Sequence, residues 1–129
     1  MQKILSEISV GELFDKLSIL EIKKKKIKDS NKKKFILYEY KLLINKKKKI
    51  KIKKEISLLY KKLLRINLKL WNIEDKIRKL EKNKNFGKKF INLARKVYKY
   101  NDKRSEIKNL INTTQKSKIV EIKSYSKYN

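Results

Sequence analysis

The sequence predicts an all-α protein: an antiparallel bundle of about four helices with one long central helix and a short C-terminal tail packed back on it. Two patterns and the chain length lead to this prediction. Between residues 52 and 80, apolar side chains recur at alternating spacings of four and three, as in a helix that packs along one seam. A capping motif opens another helix near residue 9. At 129 residues the chain fits one domain, residues 1–129, with a modest core.

The first helix is predicted over residues 9–28. Ser9 and Glu12 form a capping box, in which each side chain satisfies a free backbone N–H of the first turn. The buried stripe of this helix is expected to contain Leu13, Leu17 and Leu20.

A turn at residues 29–31 precedes a second helix, predicted over residues 31–45. Its main apolar stripe is expected to contain Phe35, Tyr38 and Leu42. The lysines at 46–49 are the expected break before the next helix, although the absence of Gly and Pro leaves a continuous bent helix open.

The long helix is predicted over residues 50–83. Its seam comprises Ile52, Ile56, Leu59, Leu63, Ile66, Leu70, Ile73, Ile77 and Leu80. A second apolar stripe runs beside the seam through Leu64 and Trp71, so this helix is expected to have two packing partners and to be central. Gly87 is expected to supply the left-handed conformation that ends it.

The last helix is predicted over residues 87–112. Its apolar row is interrupted by one charge and comprises Leu93, Val97, Tyr100, Arg104, Ile107 and Ile111. The tail, residues 113–129, contains a short apolar group at 119–122, and the tail is expected to pack back on the bundle.

The composition excludes several kinds of chemistry. Without Cys or His the chain has no disulfide, zinc site, thiol nucleophile or imidazole base. No nucleophile–base arrangement is evident, so we expect a protein that is not an enzyme, with no cofactor and no metal. No apolar run could span a bilayer and no apolar block begins the chain, so a cytoplasmic location is expected.

The net charge of +26 raises the alternative of an electrostatic binder of nucleic acid or another polyanion. Residues 22–62 carry eighteen Lys against three carboxylates. Inflated Lys, Ile, Asn and Tyr are also what an AT-rich genome produces. On that interpretation the lysines are surface filler and not ligands.

Arginine is the more informative cation, since four Arg stand among thirty-five Lys. An Arg against a core needs a carboxylate, because guanidinium does not lose its proton. We therefore predict one polar cluster at Arg104, comprising Glu12, Asp15, Glu21, Trp71, Glu74, Asp75, Arg78, Arg95, Tyr98, Asn101, Asp102 and Arg104. It is either a structural ion-pair network or a pocket for an anion or a phosphate-bearing small molecule.

Four segments carry a resemblance to a known family: ISVGELFDKLSILEIK at 8–23, LWNIEDKIR at 70–78, FINLARKVYKYNDKR at 90–104, and KIVEIKSY ending at Tyr125. They resemble small bacterial proteins that share a domain of unknown function, number 6165. The resemblance leaves out the lysine-rich residues 24–65. It implies a helical bundle with a shared polar cluster, brings no activity, and favours an accessory role beside surface-polysaccharide biosynthesis.

Three functions follow from these observations. The first is a small non-enzymatic helical binding or accessory protein, whose partner is an unknown protein or a small anionic ligand. The second is the polyanion binder. The third is a Mg-dependent phosphohydrolase, because the carboxylates resemble the layout of all-α magnesium-dependent nucleotide pyrophosphatases, although their spacing departs from that family. The apolar seams also leave a homodimer open.

Overall fold

The structure, a computed structural model, describes residues 2–129. Its helices are Val10–Lys26 (α1), Ser30–Lys48 (α2), Ile56–Lys82 (α3) and Lys88–Thr114 (α4). Residues 2–129 contain no strand, so the predicted all-α bundle is confirmed. None of these helices is both long and apolar enough to cross a membrane.

The starts of α1 and α2 follow from their capping residues. Ser9 accepts a hydrogen bond from the N–H of Glu12 at 3.0 Å, and Asp29 accepts one from the N–H of Lys32 at 3.0 Å. Only half of the predicted capping box forms, because the carboxylate of Glu12 bonds to Lys108 of α4 instead. A tertiary ion pair replaces the local hydrogen bond.

α1 is the helix that contacts all three others, whereas α3 contacts α1 and α4. The two partners expected for α3 are therefore present, but the most deeply buried helix is α1. Contacts fix the directions: Gly11 lies beside Asn112 and Asp15 beside Arg104, so α1 and α4 run antiparallel. Phe14 faces Tyr60 of α3 while Ser18 bonds to Asn67, so α1 and α3 run parallel.

α3 begins six residues later than predicted, and the connection is residues 49–55 instead of 46–49. Gln115 at the end of α4 explains the difference. Its side chain donates to the carbonyl of Lys51 at 3.0 Å and accepts from the N–H of Lys53 at 2.9 Å. These two bonds occupy backbone groups of residues 51 and 53, so the segment does not join the helix that its pattern predicts.

The core lies where α1, α3 and α4 meet. Phe14, Leu63 and Ile111 are buried there, with Ile56 at the first turn of α3. Ile52 packs against this cluster from the extended connection. The four-three seam thus supplies core residues even where its helix has not begun.

The end of α3 differs from expectation, whereas the placement of the tail agrees with it. The left-handed residue after α3 is Lys84 at φ 52°, whereas Gly87 has φ −76° and precedes α4. The tail packs back through polar contacts: Glu121 bonds to α4 while Val120 and Ile122 remain exposed. The tail therefore packs back on the bundle as predicted, with Glu121 providing hydrogen bonds to α4.

Candidate functional site

A fully buried carboxylate, Asp15 of α1, joins three helices. Its Oδ1 accepts from Nε of Arg104 at 2.9 Å, and its Oδ2 pairs with Nη2 of the same guanidinium. Asn67 of α3 donates its amide to Oδ1 at 2.8 Å and to Oγ of Ser18 at 2.7 Å. The predicted requirement for a carboxylate beside Arg104 is met by a residue eighty-nine positions away in sequence.

Lys108, one turn beyond Arg104, is a second buried cation of this network. Its ammonium lies 2.6 Å from Glu12 and 2.7 Å from Glu121 of the tail, with Asp15 at 3.8 Å. The three carboxylates exceed the two cations by one charge, and they surround the ammonium of Lys108, which water scarcely reaches. An ammonium in such a place is stabilised only by partners of this kind.

The pKa values of both cations are raised above their ordinary values. For Arg104 the hydrogen bond to Asp15 raises the pKa and outweighs burial, which acts in the opposite sense. For Lys108 burial lowers the pKa, but the hydrogen bonds to Glu12 and Glu121 act in the opposite sense, and the net result is a raised pKa. Both residues therefore remain charged in the folded protein.

α1 approaches α4 most closely at Gly11. The N–H of Gly11 donates to Oδ1 of the buried Asn112 at 2.6 Å, and a Cβ built on Gly11 would overlap the carbonyl oxygen of Lys108. Only Gly permits this approach. The close contact sets the depth at which the Asp15–Arg104 pair sits between the helices.

An open cleft of about 560 Å³ lies beside the ion-pair network, between α1, α3 and α4. Its apolar wall is formed by Ile19, Ile22, Leu70 and Trp71. Its polar residues are Asn67, Glu74, Asp75, Arg78, Asn101 and Arg104. Six of the twelve residues predicted for the polar cluster therefore line one cleft: Trp71, Glu74, Asp75, Arg78, Asn101 and Arg104.

The charges on the α3 side of the cleft are paired along the helix. Glu74 pairs with Arg78, and Asp75 lies 3.1 Å from Lys79, each at a spacing of four residues. All four side chains are largely exposed, so these pairs contribute little to folding stability.

The remaining predicted residues lie outside the cleft. Arg95 is exposed on α4 and makes no hydrogen bond or ion pair within residues 2–129. Tyr98 packs edge-on against Tyr128 of the tail with ring centroids 5.0 Å apart. Asp102 faces Lys123 at 3.5 Å. The residues predicted to form one polar cluster therefore lie at several separate places in the structure.

Glu21 takes part in a separate pair with Tyr60 between α1 and α3. Burial, followed by the negative charge of Glu21, raises the pKa of Tyr60 well above its usual value. The phenol consequently stays neutral across the physiological range. This pair faces a different part of α3 from the cleft.

The carboxylates of the chain are dispersed among cations. Within residues 2–129 no three of them come close enough together to hold a metal ion. Glu12 and Asp15 face Lys108 and Arg104, and neither lines the cleft with Asp75.

Comparison with known proteins identifies the family of this chain. A family model described as a family of unknown function, DUF6165, matches residues 4–128. The chain belongs to that family. The match confirms the resemblance found in the sequence and extends it across the lysine-rich residues 24–65. No curated protein and no solved structure matches the chain.

Several residues of the network in this DUF6165 chain were not predicted: Ser18, Asn67, Lys108, Asn109, Asn112 and Glu121. Asn67 had a detectable signal, because it follows Leu63 by four residues and so places an amide on a buried face. No feature of the sequence distinguishes Lys108 from the other lysines, because it is one of thirty-five. Its burial depends on Glu12 and Glu121, which are distant in sequence.

Proposed function

We propose that this chain is a small non-enzymatic binding protein whose cleft takes a polar ligand bearing an anionic group. One observation carries the proposal. Asp15 holds the guanidinium of Arg104 through two hydrogen bonds, while one nitrogen of that guanidinium has no partner among residues 2–129. The hydrogen bonds to Asp15 use Nε and Nη2. Nη1 has no hydrogen-bond partner within residues 2–129.

This nitrogen is accessible to a ligand. The described residues contain no buried side-chain nitrogen or oxygen that lacks a hydrogen-bond partner, so Nη1 must reach solvent. Arg104 is part of the cleft wall. A guanidinium already fixed by a carboxylate loses little further freedom when it binds an anion, which favours binding.

The other side chains of the cleft suggest the rest of the ligand. The partly buried indole of Trp71 offers an apolar surface to a ring, and Asn101 offers both an amide donor and an acceptor. The carboxylates of Glu74 and Asp75 can accept hydrogen bonds from hydroxyl groups. A phosphorylated sugar combines these features and agrees with the proposed accessory role beside surface-polysaccharide biosynthesis.

The test is titration of the full chain with glucose 1-phosphate, followed by NMR of the backbone amides and calorimetry. We expect shifts at residues 67–78 and 101–104, and a weaker response to glucose or to inorganic phosphate alone. Trp71→Leu and Asn101→Ala should each weaken binding about tenfold, as loss of one good contact does. Both positions are solvent-accessible, so the fold should persist.

Arg78→Gln and Arg95→Gln form a matched pair for this test, since each removes one positive charge from an exposed arginine. Arg78 lines the cleft and Arg95 does not. The proposal requires that Arg78→Gln weaken binding and Arg95→Gln leave it unchanged. Equal effects of the two variants would mean only a general attraction to a +26 chain.

A further inference from the structure

α2 carries an apolar stripe that no other helix covers. Phe35, Tyr38 and Leu42 are 78%, 72% and 47% exposed, and their spacing of three and four places them on one face. The buried residue of this helix is Ile36, which points toward α1. Within residues 2–129, α1 is the one helix that α2 contacts. The sequence predicted that these three residues share one apolar stripe, and the structure leaves that stripe exposed.

The surroundings of this stripe are strongly basic. α2 contains seven Lys against one carboxylate, Glu39. Lys34 and Lys41 are exposed and lie four residues before and three after Tyr38, so they border the stripe on one side. The exposed Glu39 borders it on the other side, four residues after Phe35. Exposed Phe and Leu beside several lysines are two of the features of a helix that lies in a membrane interface.

We infer that the outer face of α2 is a docking surface for an anionic lipid bilayer. In this arrangement Phe35 and Leu42 enter the boundary between headgroups and acyl chains, and Tyr38 lies at the level of the headgroups. The ammonium groups of Lys34 and Lys41 contact lipid phosphates while their methylene stems remain on the apolar side. This inference is independent of the cleft.

Charge and shape favour a bilayer over other occupants. A second copy of this chain would bring another +26 charge to the same surface, which opposes association. Nucleic acid would satisfy the lysines but would leave Leu42 without an apolar environment, and α2 presents a convex ridge instead of a groove that could follow a strand. An anionic bilayer satisfies both kinds of side chain at once.

The test is flotation of the full chain with vesicles of phosphatidylcholine alone or with 30% phosphatidylglycerol. We expect binding to the anionic vesicles and none to the neutral ones. The double variant Phe35→Ser/Leu42→Ser should reduce the binding constant at least tenfold, because two apolar side chains lose their insertion. Lys34→Gln/Lys41→Gln should reduce it about tenfold and make it less sensitive to salt.

Matched variants on α4 separate docking by α2 from general attraction. Ile91→Ser/Leu110→Ser removes two apolar side chains that are also about half exposed, and Lys96→Gln/Lys99→Gln removes two exposed lysines. Both should leave binding unchanged, and circular dichroism should show native helix content in all variants. Vesicle binding that responds equally to the α2 and α4 variants would overturn the inference. Binding to DNA without binding to vesicles would overturn it in favour of a nucleic-acid surface.

Discussion

Asp15 and Arg104 form a two-point ion pair in which the carboxylate is fully buried and the guanidinium is partly exposed. The side chain of Asp15 is 1% exposed, that of Arg104 28%. Asn67 adds a hydrogen bond from α3 to the same carboxylate, so one side chain fixes the register of α1, α3 and α4. Arg104 is also one of the residues that line the cleft.

The first prediction concerns this pair. Arg104→Gln should lower the free energy of unfolding by about 3–5 kcal/mol, because it leaves a buried charge without its main partner. Asp15→Asn should be similarly destabilising. The double variant should be less destabilised than the sum of the two, with a coupling energy of about 1–3 kcal/mol. Urea unfolding of all four proteins measures this, and strict additivity would contradict a direct interaction.

The second prediction concerns the close approach of α1 and α4. Gly11→Ala should destabilise the protein by about 1–3 kcal/mol, because the new methyl group overlaps the backbone of Lys108 and separates the helices. Gly87→Ala is the matched control, since its nearest neighbour would be 3.5 Å away and its φ of −76° suits Ala. Thermal unfolding should show a lower midpoint for the first variant and little change for the second.

The third prediction concerns alkaline pH. Because the pKa of Tyr60 is raised on folding, the folded state keeps a proton that the unfolded chain loses above about pH 10. Its contribution is complete below that pH and decreases as the pH rises. Tyr60→Phe removes this titration, so the stability difference between wild type and variant should narrow between pH 9 and 11. Urea unfolding at several pH values measures the difference in free energy of unfolding between the two proteins. A difference that does not change with pH would contradict the raised pKa of Tyr60.

The fourth prediction concerns the attachment of the tail to α4. Asn109 donates to the carbonyl of Glu121 at 3.0 Å and accepts from its N–H at 2.8 Å. Asn109→Ala should therefore release the tail, with faster amide exchange at Glu121 and faster proteolysis at Lys123. Helix content should not change. Asn92→Ala, the same change at an exposed position near the start of α4, is the control and should leave both rates as in wild type.

Local patterns were sufficient to predict the helices and much of the core. Ser9 caps α1 as expected, and Asp29 of the predicted turn at 29–31 caps α2, because a capping bond depends only on residues three positions apart. Leu63 and Ile73 are buried as the four-three seam predicts. Phe35 is exposed although its own stripe is as regular, because a stripe is buried only if another helix is available to cover it.

Distant contacts decided the rest. Hydrogen bonds from Gln115 keep residues 51–53 out of the predicted first turns of α3. Local sequence rules cannot predict this, because Gln115 lies at the end of α4. The sequence indicated that Arg104 needs a carboxylate, since an unpaired charge beside a core is costly. It did not indicate that the carboxylate is Asp15.

The amino-acid sequence by itself determined that this chain is helical, where most helices begin and end, and that Arg104 must be paired. These properties depend on neighbours within one or two turns. The tertiary structure alone decided that α1 is the central helix, that Asp15 joins three helices, and that Arg104 lines a cleft while one of its nitrogens is unpaired within residues 2–129. Such properties depend on which helix faces pack together. The periodicity of one helix shows which of its faces is apolar but not which other helix packs against that face.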